Sequence, residues 1–261
     1  MSNIKSFAHV YAVLGGSLDL AKISNLVNDD DKRNDLYTMV TSDVNARLGG
    51  KSELIRIVVK RGLMVNFYSA GEETQRNRME NERGKVLTNF EFLCYNDSKK
   101  SLAPDALSIM DDLVTLRNKS RKTTSWYTPD GFFVEMKHYK AIKIRVEVPE
   151  VGRLSIQYNK HQPVDIDKGI SPNAVHSYDG TAVRYLIRKS KGPIATTHDE
   201  YGQLPSGISM MMVHYLEFFC TLNDMPLLQD LYSSIAGRYI AVNRKKTLYN
   251  SQIMKSKYAL C

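Results

Sequence analysis

The chain has 261 residues, 43% of them hydrophobic and 25% charged, the proportions of an ordinary soluble protein with a sizeable core. No run approaches the length of a membrane span and Met1 to Lys5 lack a signal peptide's apolar core, so a cytosolic protein with no membrane partner is expected. A formal charge of +8 and a pI near 9.2 favour an acidic partner, nucleic acid first among them.

Phe7 to Leu14 is apolar and followed by Gly15-Gly16, which predicts a short helix ending at a glycine. Asn28 to Asp31 is then expected to cap a second helix running to about Leu48, with Leu36, Met39, Val40 and Val44 on one face. The next stretch, Lys51 to Ala70, carries both strand and helix signals. Read as a helix, it repeats Arg56, Lys60, Met64 and Tyr68 every fourth residue, so successive members drift by only ~40° and form one stripe, with ~12 Å of rise from Lys60 to Tyr68. Such a stripe suits a nucleotide, with cations at the phosphates and an aromatic hydroxyl at the sugar. An amphipathic core helix with its charges in water has the same pattern.

Gly71 to Lys85 reads as a solvated helix or loop, Val86 to Tyr95 as buried, and Pro104 to Leu116 as a helix started by proline. Pro129-Asp130-Gly131 is a turn between aromatic strands that include Trp126, for which core packing comes before base stacking. Lys143 to Val148 and Arg153 to Tyr158 alternate around Pro149 to Gly152, a hairpin with Lys143, Arg145 and Glu147 on one face. Ser171 to Gly180 contains His176 and Asp179, and a helical run comes after it. Ile194 to Gln203 reads as strand, turn and strand, with His198-Asp199 at the turn, where a carboxylate could hold a metal or be an ordinary turn residue. Ile208 to Leu222 is an apolar, methionine-rich helix and Leu227 to Ala241 another helix. Cys94, Cys220 and Cys261 are odd in number and far apart, so free thiols are expected. No linker marks a clean domain boundary.

In this order the stretches resemble the phage-type single-subunit DNA-dependent RNA polymerases. Arg56-Ile-Val-Val-Lys60-Arg61-Gly-Leu-Met64-Val-Asn-Phe-Tyr68 is similar to that family's motif B, and Trp126-Tyr-Thr-Pro-Asp-Gly-Phe-Phe-Val134 to a segment of its fingers. Val175-His176-Ser-Tyr-Asp179-Gly180 and Thr197-His198-Asp199-Glu-Tyr-Gly202 resemble its pre-motif C and motif C, and Ser256 to Cys261 its C-terminal foot.

The resemblance implies an α+β fold, the fingers and palm of a right-hand polymerase, mostly helical, with a short antiparallel palm hairpin and a second hairpin that projects. Residues 1–16 would be palm, 17–175 fingers and 176–261 palm with the foot. Arg56 and Lys60 would hold the incoming triphosphate; Met64 lies on the same stripe, and Tyr68 would close at the sugar. His176 would touch the sugar or minor groove, and Asp199 would bind catalytic Mg²⁺. Ser69 departs from the family's usual glycine.

Two-metal phosphoryl transfer needs carboxylates from two places. By the family's register the motif A aspartate falls at about Met1 or before it, and Asp19 and Asp29 to Asp31 lack its surroundings. The resemblance therefore implies a subunit of a heterodimeric phage RNA polymerase. A partner chain would supply motif A and the N-terminal domain, sharing two Mg²⁺ ions, DNA template, nascent RNA and NTPs, in the cytoplasm of an infected bacterium. The alternatives are a metal-dependent phosphohydrolase using His198-Asp199 with His176, and a non-catalytic nucleic-acid-binding subunit.

Overall fold

The computed structural model describes residues 4–28, 32–118, 120–121, 123–137, 139–161, 169–197, 200–244 and 246–260. At its centre is α1 (Ile4–Gly15), with Phe7, Ala8, Val10, Tyr11 and Ala12 all at most 2% exposed. A helix that is apolar on every side must be packed on every side. Its end is set by Gly16, which has φ +61° and whose carbonyl accepts from the backbone N–H groups of Thr247 and Leu248. A Cβ there would lie 3.2 Å from the backbone of Lys246, so the turn needs glycine for both conformation and space.

A short α2 (Leu18–Ile23), not foreseen from sequence, has Ser17 as its cap. The next helix, α3 (Leu36–Leu48), starts later than expected. Its cap is Asp35, which accepts from Tyr37 N at 3.0 Å, and not the Asn28 to Asp31 run. The physical reason is a clasp: Asn25 exchanges hydrogen bonds of 2.6 and 2.8 Å with the backbone of Asn34 and closes the connection as a loop. Residues 29–31 lie outside the described residues.

Four helices follow, α4 (Arg56–Phe67), α5 (Glu72–Arg83), α6 (Asn89–Leu102) and α7 (Pro104–Leu116); α5 packs on α4, and α6 on α3. The helical reading of residues 51–70 is the observed one. Burial of the whole Val86 to Tyr95 stretch is not: Val86 is 71% exposed, and Phe90 and Leu93 also face outward. A capping box between Thr88 and Glu91 starts α6 inside that stretch, so only the face carrying Phe92 and Tyr95 reaches the core.

The strands β1 (Thr123–Tyr127) and β2 (Phe133–Lys137) pair around the expected turn, and Trp126 is buried in the core with its Nε1 donating to Ser177 Oγ at 3.0 Å. That burial removes it as a base-stacking platform. A longer ribbon, β3 (Tyr139–Val148) with β4 (Gly152–His161), contains the expected hairpin. Its register sets Lys143, Arg145 and Glu147 opposite Gln157, Ser155 and Arg153, and puts Ile144, Val146, Leu154 and Ile156, all exposed, on the opposite face.

The next helix, α8 (Ile170–Lys189), begins before the His176 segment rather than after Gly180. Pro172 is tolerated because it sits in the first turn, where no intrahelical partner is lost. A third hairpin, β5 (Ile194–Thr197) with β6 (Glu200–Gln203), leads into α9 (Pro205–Asn223). The last long helix, α10 (Leu227–Ala236), stops at Gly237, with φ +68°, rather than at Ala241, and a single-turn α11 (Asn250–Ile253) lies beyond it. Around α1 pack α2, α7, α8, α9 and α10, so the first helix joins mid-chain and C-terminal helices in one core. No helix among the described residues is long and apolar enough to cross a membrane.

Candidate active site

The polar stripe of α4 exists because its other side is committed to the core. Val58, Val59, Gly62, Leu63, Asn66 and Phe67 are buried. Arg56, Lys60, Met64 and Tyr68 fall on the remaining face, exposed or half-buried.

At the N-terminal end of the stripe, Arg56 and Lys60 converge on one ring. The guanidinium carbon of Arg56 is 5.2 Å and Lys60 Nζ 5.4 Å from the centroid of Tyr37 on α3. Arg56 is also paired with Asp35 at 2.5 Å, the residue that caps α3. Partial burial works against ionisation of Asp35, but hydrogen bonds from Arg56 and Thr38 outweigh it and hold the carboxyl below its ordinary pKa. Lys60 makes no ion pair among the described residues. Its one partner there is the Tyr37 ring.

At the C-terminal end, Tyr68 is 36% exposed and meets residues of two other helices. Its ring lies 5.0 Å from Phe7 of α1 and 5.8 Å from His176 of α8, and Phe7 and His176 are edge to face at 5.3 Å. Phe7 is the buried floor of the trio and the other two rings form its exposed rim. His176 has Asp179 one turn on, with Nδ1 and Oδ2 at 3.9 Å. Of the residues singled out from sequence, Tyr68 and His176 are thus brought together. Arg56 and Lys60 stand at the far end of the same stripe.

The helix bearing His176 is fixed from two sides. The hydroxyls of Tyr11 and Ser171 hydrogen-bond where α1 crosses its first turn. Further along, Asp130 of the β1–β2 turn accepts from Arg184 Nε at 2.5 Å and Nη2 at 2.8 Å, and Arg184 covers the Phe132 ring at 4.8 Å. Beyond α8, β5 and β6 pair as expected, the register closing at Thr197 opposite Glu200. His198 and Asp199, the residues between them, lie outside the described residues. Among the described residues no group of three or more His, Cys, Asp and Glu side chains is set to hold a metal ion, so they do not compose a two-ion centre by themselves.

Phe7, Tyr37, Asp35 and the Asp130–Arg184 pair were not singled out from sequence. Asp130 had a signal, since it sits in a strong turn motif; the others become visible only when α1, α3 and α8 are packed.

The sequence model for DNA-dependent RNA polymerase matches residues 95–260, well over half of the chain. The chain belongs to that family. The match includes His176 and the β5–β6 hairpin and begins after α4. Polymerase relatives include T7 RNA polymerase of Escherichia phage T7, 29% identical over 133 aligned residues that take in 46% of this chain and 15% of the relative. The DNA-directed RNA polymerase of Enterobacteria phage T3 is 28% identical over a stretch of the same size. DNA-directed RNA polymerase 3 of Nicotiana sylvestris, a chloroplast protein, is 25% identical over 275 aligned residues that take in 89% of this chain and 27% of the relative. The chain thus spans between about one seventh and one quarter of the polymerases it matches.

Proposed function

We propose that this chain supplies the nucleotide-binding fingers and one catalytic carboxylate of a DNA-dependent RNA polymerase, and that a second polypeptide chain supplies the motif A carboxylate and the template-handling N-terminal domain. The observation that carries this reading is the Phe7, Tyr68 and His176 cluster. In a chain of this family, it sets the end of the motif B-like helix against α1 and α8.

In this reading residues 1–16 and 176–261 are palm and 17–175 fingers. Lys60, with no ion pair among the described residues, attracts the triphosphate. Arg56 aligns that end through Asp35 and Tyr37 and reaches a phosphate when it exchanges Asp35 for it. Met64 lies between the cations and the ring, a flexible apolar side chain under the nucleotide. Tyr68 and His176 meet the sugar from two sides, Phe7 holding both rings from beneath. Asp199 is the ligand this chain brings to Mg²⁺; the ions, when bound, stabilise the attacking and leaving oxygens of phosphoryl transfer. In this reading the second carboxylate is the partner chain's, since Asp35 is already held by Arg56. The exposed ribbon β3–β4, with Lys143 and Arg145 on one face, is suited to lie along DNA.

The test is Asp199→Asn in the active polymerase purified with whatever accompanies this chain. RNA synthesis should be lost while assembly and DNA binding persist. Substantial synthesis by that variant, or synthesis by these 261 residues alone, would overturn the reading.

A further inference from the structure

The turn that carries Tyr68 is held in an unfavourable shape. Helix α4 ends in a Schellman-type cap: Ala70 N donates to Val65 O at 2.9 Å and Ser69 N to Asn66 O at 2.8 Å. The residue after Tyr68 must then be left-handed, and Ser69 has φ +59°. That conformation suits glycine and works against any residue with a Cβ. The Ser69 hydroxyl offers no compensation, because its buried Oγ has no hydrogen-bond partner among the described residues.

Strain of this kind persists only where the surroundings enforce it. Here they do so through a buried network. Gln75 of α5 donates from Nε2 to the carbonyl of Ala70 at 2.7 Å. Its Oε1 accepts from Lys99 Nζ of α6 at 2.8 Å and from the Tyr95 hydroxyl at 3.3 Å. Lys99 also donates to Asn66 Oδ1 at 3.3 Å. One lysine therefore grips both sides of the cap, Asn66 before Tyr68 and, through Gln75, Ala70 after it. Lys99 is 5% exposed and Gln75 2% exposed, so neither is there for solubility. A buried ammonium is costly unless its hydrogen bonds are made, and these are the bonds it makes.

The geometry points to Lys99 as a positioning residue: through Gln75 and Asn66 it latches the strained Tyr68–Ala70 turn and so sets where the Tyr68 ring stands against His176. The consequence for the choice of sugar rests on the proposed role of Tyr68; the latch itself does not.

The first measurement uses the full 261-residue chain and reads the nuclear Overhauser contact between the Tyr68 and His176 rings. In Lys99→Met that contact should weaken severalfold, and adding Ser69→Gly should restore it, because a glycine holds the left-handed turn without the latch. Gln75→Glu is the second variant. It keeps an acceptor for Lys99 and loses the donor to Ala70 O, and it should weaken the contact in the same way. A contact of full strength in either folded variant, or no recovery on adding Ser69→Gly, would overturn the inference. The second measurement is made in the active polymerase. Preference for ribonucleotides should fall by roughly tenfold to a hundredfold in Lys99→Met, the loss expected when a contact group shifts by ~1 Å. If Tyr68→Phe leaves that preference unchanged while the ring contact responds to Lys99, the sugar-reading role fails and the latch stands. If Tyr68→Phe changes it and Lys99→Met does not, the latch fails as a determinant of selectivity.

Discussion

Arg184 holds the Asp130 carboxylate by both oxygens, Nε to Oδ2 at 2.5 Å and Nη2 to Oδ1 at 2.8 Å, across 54 residues of sequence. The pair joins a turn in the middle of the chain to the helix that carries His176. Thr128 and Thr181 complete it, their hydroxyls 2.6 and 3.4 Å from Asp130 Oδ1. Hydrogen bonds from Arg184, aided by Thr128, hold the Asp130 carboxyl far below the ordinary carboxylate range, although burial opposes them.

Replacing Arg184 by alanine should therefore cost more than an exposed ion pair would. The Asp130 side chain is only 14% exposed, and without Arg184 it keeps just the longer contact to the exposed Arg188 at 3.6 Å and the Thr128 and Thr181 hydroxyls, so the variant should cost about 2–3 kcal/mol. Chemical denaturation measures it. The pH dependence gives the sign independently. A carboxyl with a depressed folded-state pKa contributes stability that is complete above about pH 5 and is lost as pH falls below about 4. The gap between wild type and Arg184→Ala should narrow over that acid range, and a gap that stays constant would deny the pair its role.

A second prediction concerns the contact between α4 and α5. A Cβ on Gly62 would lie 2.5 Å from Met79 Sδ and 3.0 Å from the Tyr95 hydroxyl, and Met79 is fully buried. Alanine is the better helix former by about 1 kcal/mol. Overpacking costs about 1–3 kcal/mol, so Gly62→Ala should be destabilising on balance. Met79→Ala, added to it, opens the space and should make the two changes less than additive in thermal unfolding.

The three hairpins and several helices are legible in the sequence because each has a period or a punctuation of its own: the apolar run before Gly15-Gly16, the proline before Asp105, the turn at Asp130; α2 and α6 carry no such mark strong enough to read as helices. The start of α3 is not legible either, because the clasp between Asn25 and Asn34 is set by tertiary contacts that no local pattern carries. The burial of Val86, Phe90 and Leu93 was misjudged for a related reason. Apolar composition says that a segment can be buried, but the capping box decides which face turns inward. At the site, the four-residue spacing of Arg56 to Tyr68 was readable as a stripe. That Phe7 would lie under Tyr68, or Tyr37 under Arg56 and Lys60, depends only on how distant helices pack.

Lys99 gives a third prediction, in the alkaline range. Burial pulls its pKa down from 10.5 to about 8, against the opposing charge of Glu72. A lysine with a depressed folded-state pKa penalises folding while it is charged, and the penalty fades as pH rises from about 8 to 10.5 because the unfolded chain then binds the extra proton. The slope approaches ~1.4 kcal/mol per pH unit. Tyr11, Tyr95 and Tyr178, whose pKa values burial raises, pull stability the other way only above about pH 10. Between pH 8 and 10 the stability of wild type should rise relative to Lys99→Met, and parallel curves would mean that the ammonium is not desolvated in the fold.

The two ends of the α4 stripe should fail differently when altered in the active polymerase. Lys60 has only the Tyr37 ring as a cation partner among the described residues, so Lys60→Ala removes a charge that nothing else in the fold uses. Its effect should be on nucleotide use, with KM rising and the unfolding free energy unchanged within the few tenths of a kcal/mol of an ordinary surface substitution. An effect confined to folding would instead make α4 a core helix and nothing more. Tyr68→Phe keeps the ring on Phe7 and His176 and deletes only the hydroxyl. A site that recognises a hydroxyl loses discrimination when its own polar partner goes, because the wrong substrate then leaves nothing unpaired. Deoxyribonucleotides should therefore enter far more readily, while the KM for ribonucleotides changes much less than in Lys60→Ala. If both variants raised KM alike and neither altered the choice of sugar, the stripe would be a phosphate site only, and the Tyr68–His176 pair would have to be read as packing.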